Sequence, residues 1–341
     1  MSKGLETGCA VCQQHENLSR CGACKVVSYC GKEHQVQARA THKWFCNEVK
    51  RAQATLDNED AKLRNIQGDV LTPDNPLENP RAIGHFWGIW ETRPYMRARY
   101  ALIEAQLKFN TRNAVEAATE HVMDLFRLCR SDNMGVRDLA PSLLLRLGRD
   151  QEAYDFCKWW ATCDPDGKYD WGDLSLPYLS VKDADVFEPV DPFVGEFRSL
   201  SHGIAVTLIK IRLLVDLQAL ERAREEAGPH VPQEILDSIL QEAANSPIVK
   251  ENRKILERDQ KLYIEELKKQ VKQMYDGVNK LNKYFWAAIL HPTEKDLTAR
   301  PNYTSFGNRQ EMQVQLRHWY NAWAETPGAV GVIEELSKGR I

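Results

Sequence analysis

Eight of the nine Cys and His side chains within the first 46 residues of this chain are regularly spaced, and their spacing limits what that segment can become. They form four pairs at short intervals: Cys9/Cys12, Cys21/Cys24, Cys30/His34 and His42/Cys46. A structural zinc ion takes four Cys or His ligands, usually from C-x2-4-C or C-x3-5-H turns that direct two donors toward one ion. The segment therefore has the ligands for two zinc ions, with none left over.

Spacing alone does not decide which pairs share an ion, since a sequential and an interleaved arrangement both use all eight donors. In either arrangement each ion has four protein ligands, which leaves no position for water or substrate. We therefore expect two structural zinc ions that stabilise a segment too small to bury a core of its own. His15, three residues after Cys12, is expected to be a solvated loop side chain because the ligand set is complete without it.

Composition indicates a folded intracellular protein. The 341-residue chain is 43% apolar and contains nine Trp, which is typical of a protein with two or three domains. Its formal net charge of −3 gives no reason to expect a nucleic acid as partner. There is no signal-peptide pattern and no uncharged apolar run of about 18 residues, so neither secretion nor a membrane partner is expected. The three cysteines outside the zinc segment lie in apolar helical patterns, as free thiols do in a reducing compartment, so we expect a cytoplasmic or nuclear protein.

Changes in composition divide the rest of the chain. Three prolines between residues 68 and 80 interrupt the helical pattern, and four more lie between residues 164 and 199. The predicted segments are a zinc finger (1–50), a helix and Pro-rich linker (51–82), helical hairpins (83–163), an acidic Pro-rich loop (164–199) and a helical domain with a long heptad helix (200–341). The predicted fold is mainly α: a small two-zinc finger followed by an all-α helical-repeat or bundle domain.

The helical hairpins contain a possible repeat. Residues 107–114 and 146–153 have the same helix-turn-helix pattern and lie 39 residues apart (107 to 146). This interval resembles that of α-solenoid units of the tetratricopeptide type, but an irregular bundle explains the pattern equally well. Helical spacing also favours core positions for the tryptophan pairs Trp87/Trp90 and Trp159/Trp160.

A coiled-coil-like seam is predicted near the C-terminus. Apolar side chains recur at alternating intervals of three and four at positions 264, 267, 271, 274, 278, 281 and 285. A seam of three heptads with Gly277 inside it packs more often against its own chain than against a second copy. Intramolecular packing is therefore the favoured prediction, and self-association through residues 264–285 is the alternative.

The zinc segment resembles a MYND-type zinc finger. The resemblance covers about 40 residues, and besides the ligands it includes four short stretches: Glu16-Asn17-Leu18, Tyr29-Cys30, Lys32-Glu33-His34-Gln35 and His42-Lys43. The family implies the interleaved arrangement, in which one zinc is held by Cys9, Cys12, Cys30 and His34 and the other by Cys21, Cys24, His42 and Cys46. His34 stands where most members have a cysteine, and an imidazole nitrogen preserves the coordination.

The resemblance also implies a function. MYND fingers generally bind short proline-containing peptides, often of Pro-x-Leu type, in a groove beside the second zinc. Ser28 and Gln35 match positions that the family presents to such ligands, whereas Arg39 stands where the family usually has a tryptophan. Trp44 is the nearest aromatic side chain and would project differently, which predicts an altered or absent peptide preference.

Catalytic motifs of other proteins with this finger are not found. A split SET methyltransferase domain needs sequence before the finger, and only eight residues precede Cys9. No His has an acidic residue two positions later, as the iron-binding triad of prolyl hydroxylases requires, and phosphate-loop, dinucleotide and nucleophile-elbow motifs are absent as well. The helical region resembles fungal proteins that carry the same finger at the N-terminus.

We therefore expect a zinc-binding adapter that is not an enzyme. Its finger would bind short peptide segments of partner proteins, and its helical region would serve as scaffold. The alternatives are an enzyme with an unrecognised active site in the helical region and a nucleic-acid-associated regulator.

Overall fold

The computed structural model describes residues 4–196, 198–228 and 230–340. Within these residues the only strands are β1 (Ser19–Arg20) and β2 (Ser28–Tyr29), which pair antiparallel inside the finger. All other regular structure in these ranges is helical, which confirms a mainly α protein that begins with a finger. No helix of the described ranges combines the length and the apolar composition that a membrane span needs.

The chain forms two compact units. Unit 1 is the chain up to Leu143 together with Asp170–Tyr178, and unit 2 is Leu144–Tyr169 together with the chain from Leu179 onward. The boundary falls inside helix α5 (Ala140–Arg146). The strands and α-helices described in unit 1 before α5 are β1, β2, α1 (Lys32–Gln37), α2 (Arg39–Arg64), α3 (Arg93–Gln106) and α4 (Arg112–Leu128).

Helix α2 joins the finger to the helices of unit 1. It passes residue 50 without a break, and its buried side chains Val49, Leu56 and Leu63 recur every seven residues. This apolar face packs against α3, and α3 packs against α4. An ion pair between Arg99 of α3 and Asp124 of α4 adds a polar contact between these two helices.

Part of the predicted acidic loop belongs to unit 1. The buried Arg130 guanidinium donates hydrogen bonds to the carbonyl oxygens of Asp173 (2.9 Å) and Leu176 (2.7 Å). It also lies over the ring of Tyr178, 4.6 Å from the ring centroid. These contacts fix Asp170–Tyr178 against the end of α4, although the segment has no helix or strand of its own.

The core position predicted for Trp90 is wrong, because this side chain is 72% exposed. The prediction assumed α-helical spacing, whereas the residues before α3 form two short 3-10 turns, Phe86–Gly88 and Trp90–Thr92. A 3-10 turn has three residues per turn, so the facing of its side chains differs from that of an α-helix.

Unit 2 is built around one long helix. Its helices after α5 are α6 (Asp150–Thr162), α7 (Leu200–Ala227), α8 (Gln233–Ala243), α9 (Pro247–Lys250), α10 (Arg253–Glu257), α11 (Lys261–Leu281), α12 (Phe285–Leu290), α13 (Glu294–Thr298), α14 (Arg309–Ala324) and α15 (Ala329–Ser337). Helix α7 is buried on all sides from Leu200 to Leu217 almost without interruption, as a central core helix is. Helices α6, α8, α11, α14 and α15 pack around it. Of the two predicted helical hairpins, the first (α3–α4) lies in unit 1. The second consists of α5, which contains the boundary between the units, and α6, which lies in unit 2.

The heptad seam of α11 packs against α7 in the same chain. Ile264, Leu267, Val271, Met274 and Val278 are all buried along this contact. The two helices approach closely at Gly203 of α7, where a Cβ atom would lie only 3.1 Å from a methyl carbon of Val278. The seam therefore packs within its own chain, and it has little apolar surface left for a second copy.

The second part of the acidic loop is fixed to unit 2 by a buried lysine. Lys210 of α7 donates its Nζ protons to the carbonyl oxygens of Val186 (2.6 Å) and Glu188 (2.8 Å). Burial lowers the pKa of Lys210 to about 8, although the carboxylates of Glu188 and Asp185 oppose the shift. Val190 nearby is buried too, so the loop contributes to the core despite its lack of helices.

Candidate metal centre

The two C-x2-C pairs lie on turns of the same type. Gln13, which follows the first pair, donates its N–H to the carbonyl of Cys9 (2.9 Å), and Lys25, which follows the second, donates to the carbonyl of Cys21 (2.8 Å). Gln13 and Lys25 both have φ of 61°, in the left-handed region. Gly8 supports the first turn, since a Cβ atom there would lie 2.4 Å from the Gln13 carbonyl oxygen. Each turn directs two sulfurs toward one point. The other four donors are Cys30, which follows β2, His34 of α1, and His42 and Cys46 of α2.

The first cluster consists of Cys9, Cys12, Cys30 and His34. The sulfurs of Cys12 and Cys30 are 3.7 Å apart, and Nδ1 of His34 lies 3.4 Å from the sulfur of Cys9 and 3.0 Å from that of Cys30. A zinc tetrahedron with bonds of about 2.3 Å to sulfur and about 2.05 Å to nitrogen has edges of about 3.8 Å and 3.6 Å. Most of the donor separations therefore match a zinc site, and the His34–Cys30 separation is shorter than the ideal edge.

The second cluster consists of Cys21, Cys24, His42 and Cys46. The sulfurs of Cys21 and Cys46 are 3.8 Å apart, and the sulfur of Cys24 lies 3.7 Å from Nε2 of His42. These separations also match the edges of a zinc tetrahedron. The three sulfurs of this cluster are buried, whereas Cys12 of the first cluster is exposed.

The two clusters fit two zinc ions, and their membership confirms the interleaved arrangement. The donor atoms of each cluster all lie within 4.8 Å of one another. The sulfurs are not disulfide-bonded, since an S–S bond is about 2.05 Å long and the closest sulfur pair quoted above is 3.7 Å apart. Because each cluster supplies four protein donors, the sites are closed in the sense of structural zinc sites.

The electrostatics of the donors also favour a bound cation. Burial, followed by the negative charges of Cys24 and Cys21, raises the pKa of Cys46 to about 12. Burial and the sulfurs of Cys12 and Cys9 likewise raise the pKa of Cys30 to about 11. Thiolates this close repel one another, and a bound cation that offsets their charge favours their joint ionisation.

The pKa of Cys9 shifts in the opposite direction to those of Cys30 and Cys46. Burial would raise its pKa, but hydrogen bonds from backbone N–H groups, including those of Cys12, Val11 and Cys30, and one with the His34 ring, lower it to about 6. The first turn therefore already presents one thiolate with several N–H donors around it, as a metal ligand needs.

The finger is attached to the connection between α3 and α4, residues 107–111. Glu6 donates its N–H to the Asn110 carbonyl (3.0 Å) and accepts from the N–H of Arg112 (2.9 Å). The hydroxyl of Thr111 donates to the carbonyl of Val26 (2.5 Å), between the two strands of the finger. These backbone-directed bonds hold the finger against the second helix pair of unit 1.

Aromatic packing adds to this attachment next to the second cluster. The Phe109 ring lies 5.4 Å from the imidazole of His42 and 6.1 Å from the ring of Phe45, measured between centroids. An ion pair between Lys108 and Glu48 (2.8 Å) lies at the edge of the same contact. The sequence analysis missed Phe109, Thr111 and their role, because nothing in the local pattern marks a helix connection as a partner of the finger.

The three predicted peptide contacts lie in different surroundings. Gln35 and Arg39 are exposed at the surface of α1 and the start of α2. Ser28 is only 6% exposed, and its Oγ accepts a hydrogen bond from Nδ2 of Asn113 (3.1 Å). The chain itself therefore covers Ser28, while Gln35 and Arg39 remain accessible. Trp44, 69% exposed, lies five residues beyond Arg39 on α2.

Taken together, the interleaved ligands, the short β-hairpin and the two flanking helices define a closed two-zinc finger. Residues 9–46 match the sequence model of the MYND finger family. The MYND finger is a zinc-binding protein-interaction domain, and this assignment applies to the finger alone.

One curated relative is similar over a short segment of the chain. Egl nine homolog 1 of Mus musculus is 49% identical over 47 residues, which cover 13% of this chain and 12% of that protein. The likeness is thus confined to a segment about the size of the finger. No solved structure matches the chain.

Proposed function

We propose that this protein is a non-catalytic adapter whose MYND finger binds short proline-containing segments of partner proteins. The observation that carries the proposal is the closed character of both clusters, each with four protein donors, which suits a structural rather than a chemical role for the metal. The helical units would then act as scaffold. The cytoplasmic or nuclear location and the kinship with fungal MYND-finger proteins stay predictions.

The exposed part of the finger supports a peptide-binding surface at α1. Gln35 and Arg39 offer hydrogen-bonding groups, and Val36 between them is 61% exposed. A surface held by metal ligands at both ends loses little conformational entropy when it binds a peptide. Ser28 would join this surface only after Asn113 releases its Oγ, so we infer that α1 makes the first contacts.

Fluorescence polarisation with the full-length, zinc-loaded protein tests the proposal. The probes are labelled peptides that contain a Pro-x-Leu core, and matched peptides in which alanine replaces the proline. We expect binding that needs the proline and that becomes about tenfold weaker in Gln35→Ala and in Arg39→Ala. Gln37→Ala, on the same short helix, is the matched control and should bind like the wild type.

Asn113→Ala adds a second readout. If Asn113 competes for Ser28, this variant should bind the same peptides more tightly than the wild type does. The proposal is overturned if no Pro-x-Leu peptide binds either the wild type or Asn113→Ala at millimolar concentration. Binding that does not depend on the proline would overturn it as well.

A further inference from the structure

Three large apolar side chains near the start of α3 are held in solvent. Val70 is 90% exposed, Leu71 85% and Trp90 72%. The hydroxyl of Thr72 donates to a carboxylate oxygen of Glu91 (2.8 Å), which brings the two stretches of chain side by side. Single exposed apolar residues are ordinary, but several together on a rigid surface indicate an interaction site.

Val70 and Leu71 are exposed because they lie at the tip of a tight turn. One carboxylate oxygen of Asp69 accepts hydrogen bonds from the N–H groups of Leu71 (2.7 Å) and Thr72 (2.6 Å). The N–H of Asp69 donates in turn to the Thr72 carbonyl (2.7 Å). Because these three bonds close the turn, the two aliphatic side chains at its tip are presented to solvent in a fixed position.

Beside this turn, two arginines stack on tryptophan rings. The Arg93 guanidinium carbon lies 4.5 Å from the ring centroid of Trp90 and 5.0 Å from that of Trp87, and its Nε donates to the Trp87 carbonyl (2.9 Å). Arg97 lies over Trp87 at 5.7 Å. Stacking uses the faces of a guanidinium group and leaves N–H groups at its edge for a carboxylate.

These two arginines lack an acidic partner within the described residues, although Arg99 on the same helix is paired with Asp124. Glu91 is the nearest acid in sequence, and one of its oxygens accepts the bond from Thr72. The surface therefore combines exposed apolar groups with two positive charges that are not neutralised by ion pairs.

We propose that this surface, the Trp90 face, binds a protein segment in which Asp or Glu side chains flank a large apolar side chain. The Trp90 face consists of Val70, Leu71, Trp87, Trp90, Arg93 and Arg97. Carboxylates would pair with the guanidinium edges, and the apolar side chain would cover Trp90 and the aliphatic turn. Trp and Arg dominate binding energy at protein interfaces, and the stacked Arg93 is already ordered, so little entropy is lost on binding.

A single-stranded nucleic acid is the less favoured occupant. Bases also stack on tryptophan, but such sites need a groove of positive charge that follows the phosphates. The Trp90 face has two arginines on tryptophan rings instead of such a groove, and the whole chain has a net charge of −3. The inference does not depend on what the finger binds.

The test selects ligands from a random peptide library displayed on phage, with the full-length, zinc-loaded protein as bait. We expect enrichment of peptides with Asp or Glu next to Leu, Phe or Trp. Synthetic copies of these peptides should bind at least about tenfold more weakly to Trp90→Ala and to Arg97→Glu. Arg97→Lys keeps the charge but loses the planar fork, so it should show an intermediate loss.

Two controls separate this surface from the finger and from misfolding. Trp44→Ala removes a tryptophan of similar exposure on the finger and should bind the selected peptides like the wild type. Zinc content and circular dichroism must be unchanged in all variants. The proposal is overturned if no acidic–apolar peptides are enriched, if Trp90→Ala binds them equally well, or if a labelled oligouridylate binds in a Trp90-dependent manner and the peptides do not.

Discussion

The two histidine ligands reach their clusters with different ring nitrogens. His34 faces the first cluster with Nδ1, whereas His42 faces the second with Nε2. Nδ1 lies closer to the backbone than Nε2, at a reach similar to that of a cysteine sulfur. This explains in physical terms how an imidazole at position 34 takes a place that usually belongs to a thiolate.

We predict that substitution of His34 with alanine lowers the zinc stoichiometry from two to one. His34→Ala removes one of four donors from the first cluster, so the purified protein should hold one tightly bound zinc instead of two, measured by native mass spectrometry. His34→Cys restores a donor of similar reach and should hold two. His15→Ala is the control, because His15 is exposed and belongs to neither cluster. Two retained zinc ions in His34→Ala would contradict this assignment.

Lys210 predicts a pH dependence of stability. Its pKa in the fold is about 8, below the ordinary 10.5, so between these values the unfolded chain binds a proton that the folded chain does not. The free energy of unfolding should therefore rise as pH increases from 8 to 10.5, by up to about 3 kcal/mol from this group. The same contribution is lost as pH falls back through this range to below 8.

Urea unfolding at several pH values between 7.5 and 10 measures this contribution as the difference between the wild type and Lys210→Met. The variant should be less stable throughout, because two buried carbonyls lose their donor, and its pH profile should lack the rise due to Lys210. Lys269→Met, which removes an exposed ammonium group, controls for net charge. Parallel profiles for wild type and Lys210→Met would show that the fold does not perturb this lysine.

At the scale of elements, the α3–α4 connection has two tasks. The side chain of Thr111 accepts a hydrogen bond from the N–H of Ala114 and so caps α4, while its hydroxyl proton goes to Val26 of the finger. Phe109, two residues earlier, packs against a zinc ligand. A connection that sequence analysis treats as a simple turn is thus, besides α2, a second part of unit 1 that attaches the zinc finger to the helices.

We predict that Thr111→Val destabilises unit 1 by about 1–3 kcal/mol, because it removes both a helix cap and a buried hydrogen bond. Chemical denaturation of the zinc-loaded protein measures the loss. Thr119→Val is the matched control: Thr119 is equally buried in α4, but its hydroxyl bonds only to the Val115 carbonyl in the same helix. An equal effect of both substitutions would argue against a special role for the connection.

At the scale of the molecule, zinc is expected to stabilise more than the finger. His42 and Cys46 lie in the first turns of α2, and the same helix buries Leu56 and Leu63 against α3. Metal binding therefore fixes the beginning of a helix whose remainder belongs to the core of unit 1.

Hydrogen exchange with and without a zinc chelator tests this coupling. After chelation, amides of α2, α3 and α4 should exchange faster, together with those of residues 9–46. Proton competition for the thiolates should produce the same change as pH falls, and added zinc should reverse it. A loss of protection confined to residues 9–46 would mean that the finger folds separately from the helices.

The sequence by itself determined the ligand set, the mainly α fold and the seam of α11. All three follow from the spacing of residues over a few turns of chain. Donors three or four residues apart lie on one face, and so do apolar side chains that recur at alternating intervals of three and four. The tertiary structure decided the rest. It covered Ser28 with Asn113 and joined Thr111 to Val26, contacts that span 85 residues of sequence, and it left Trp90 in solvent. Such contacts depend on how distant segments pack against each other, which no local pattern of residues encodes.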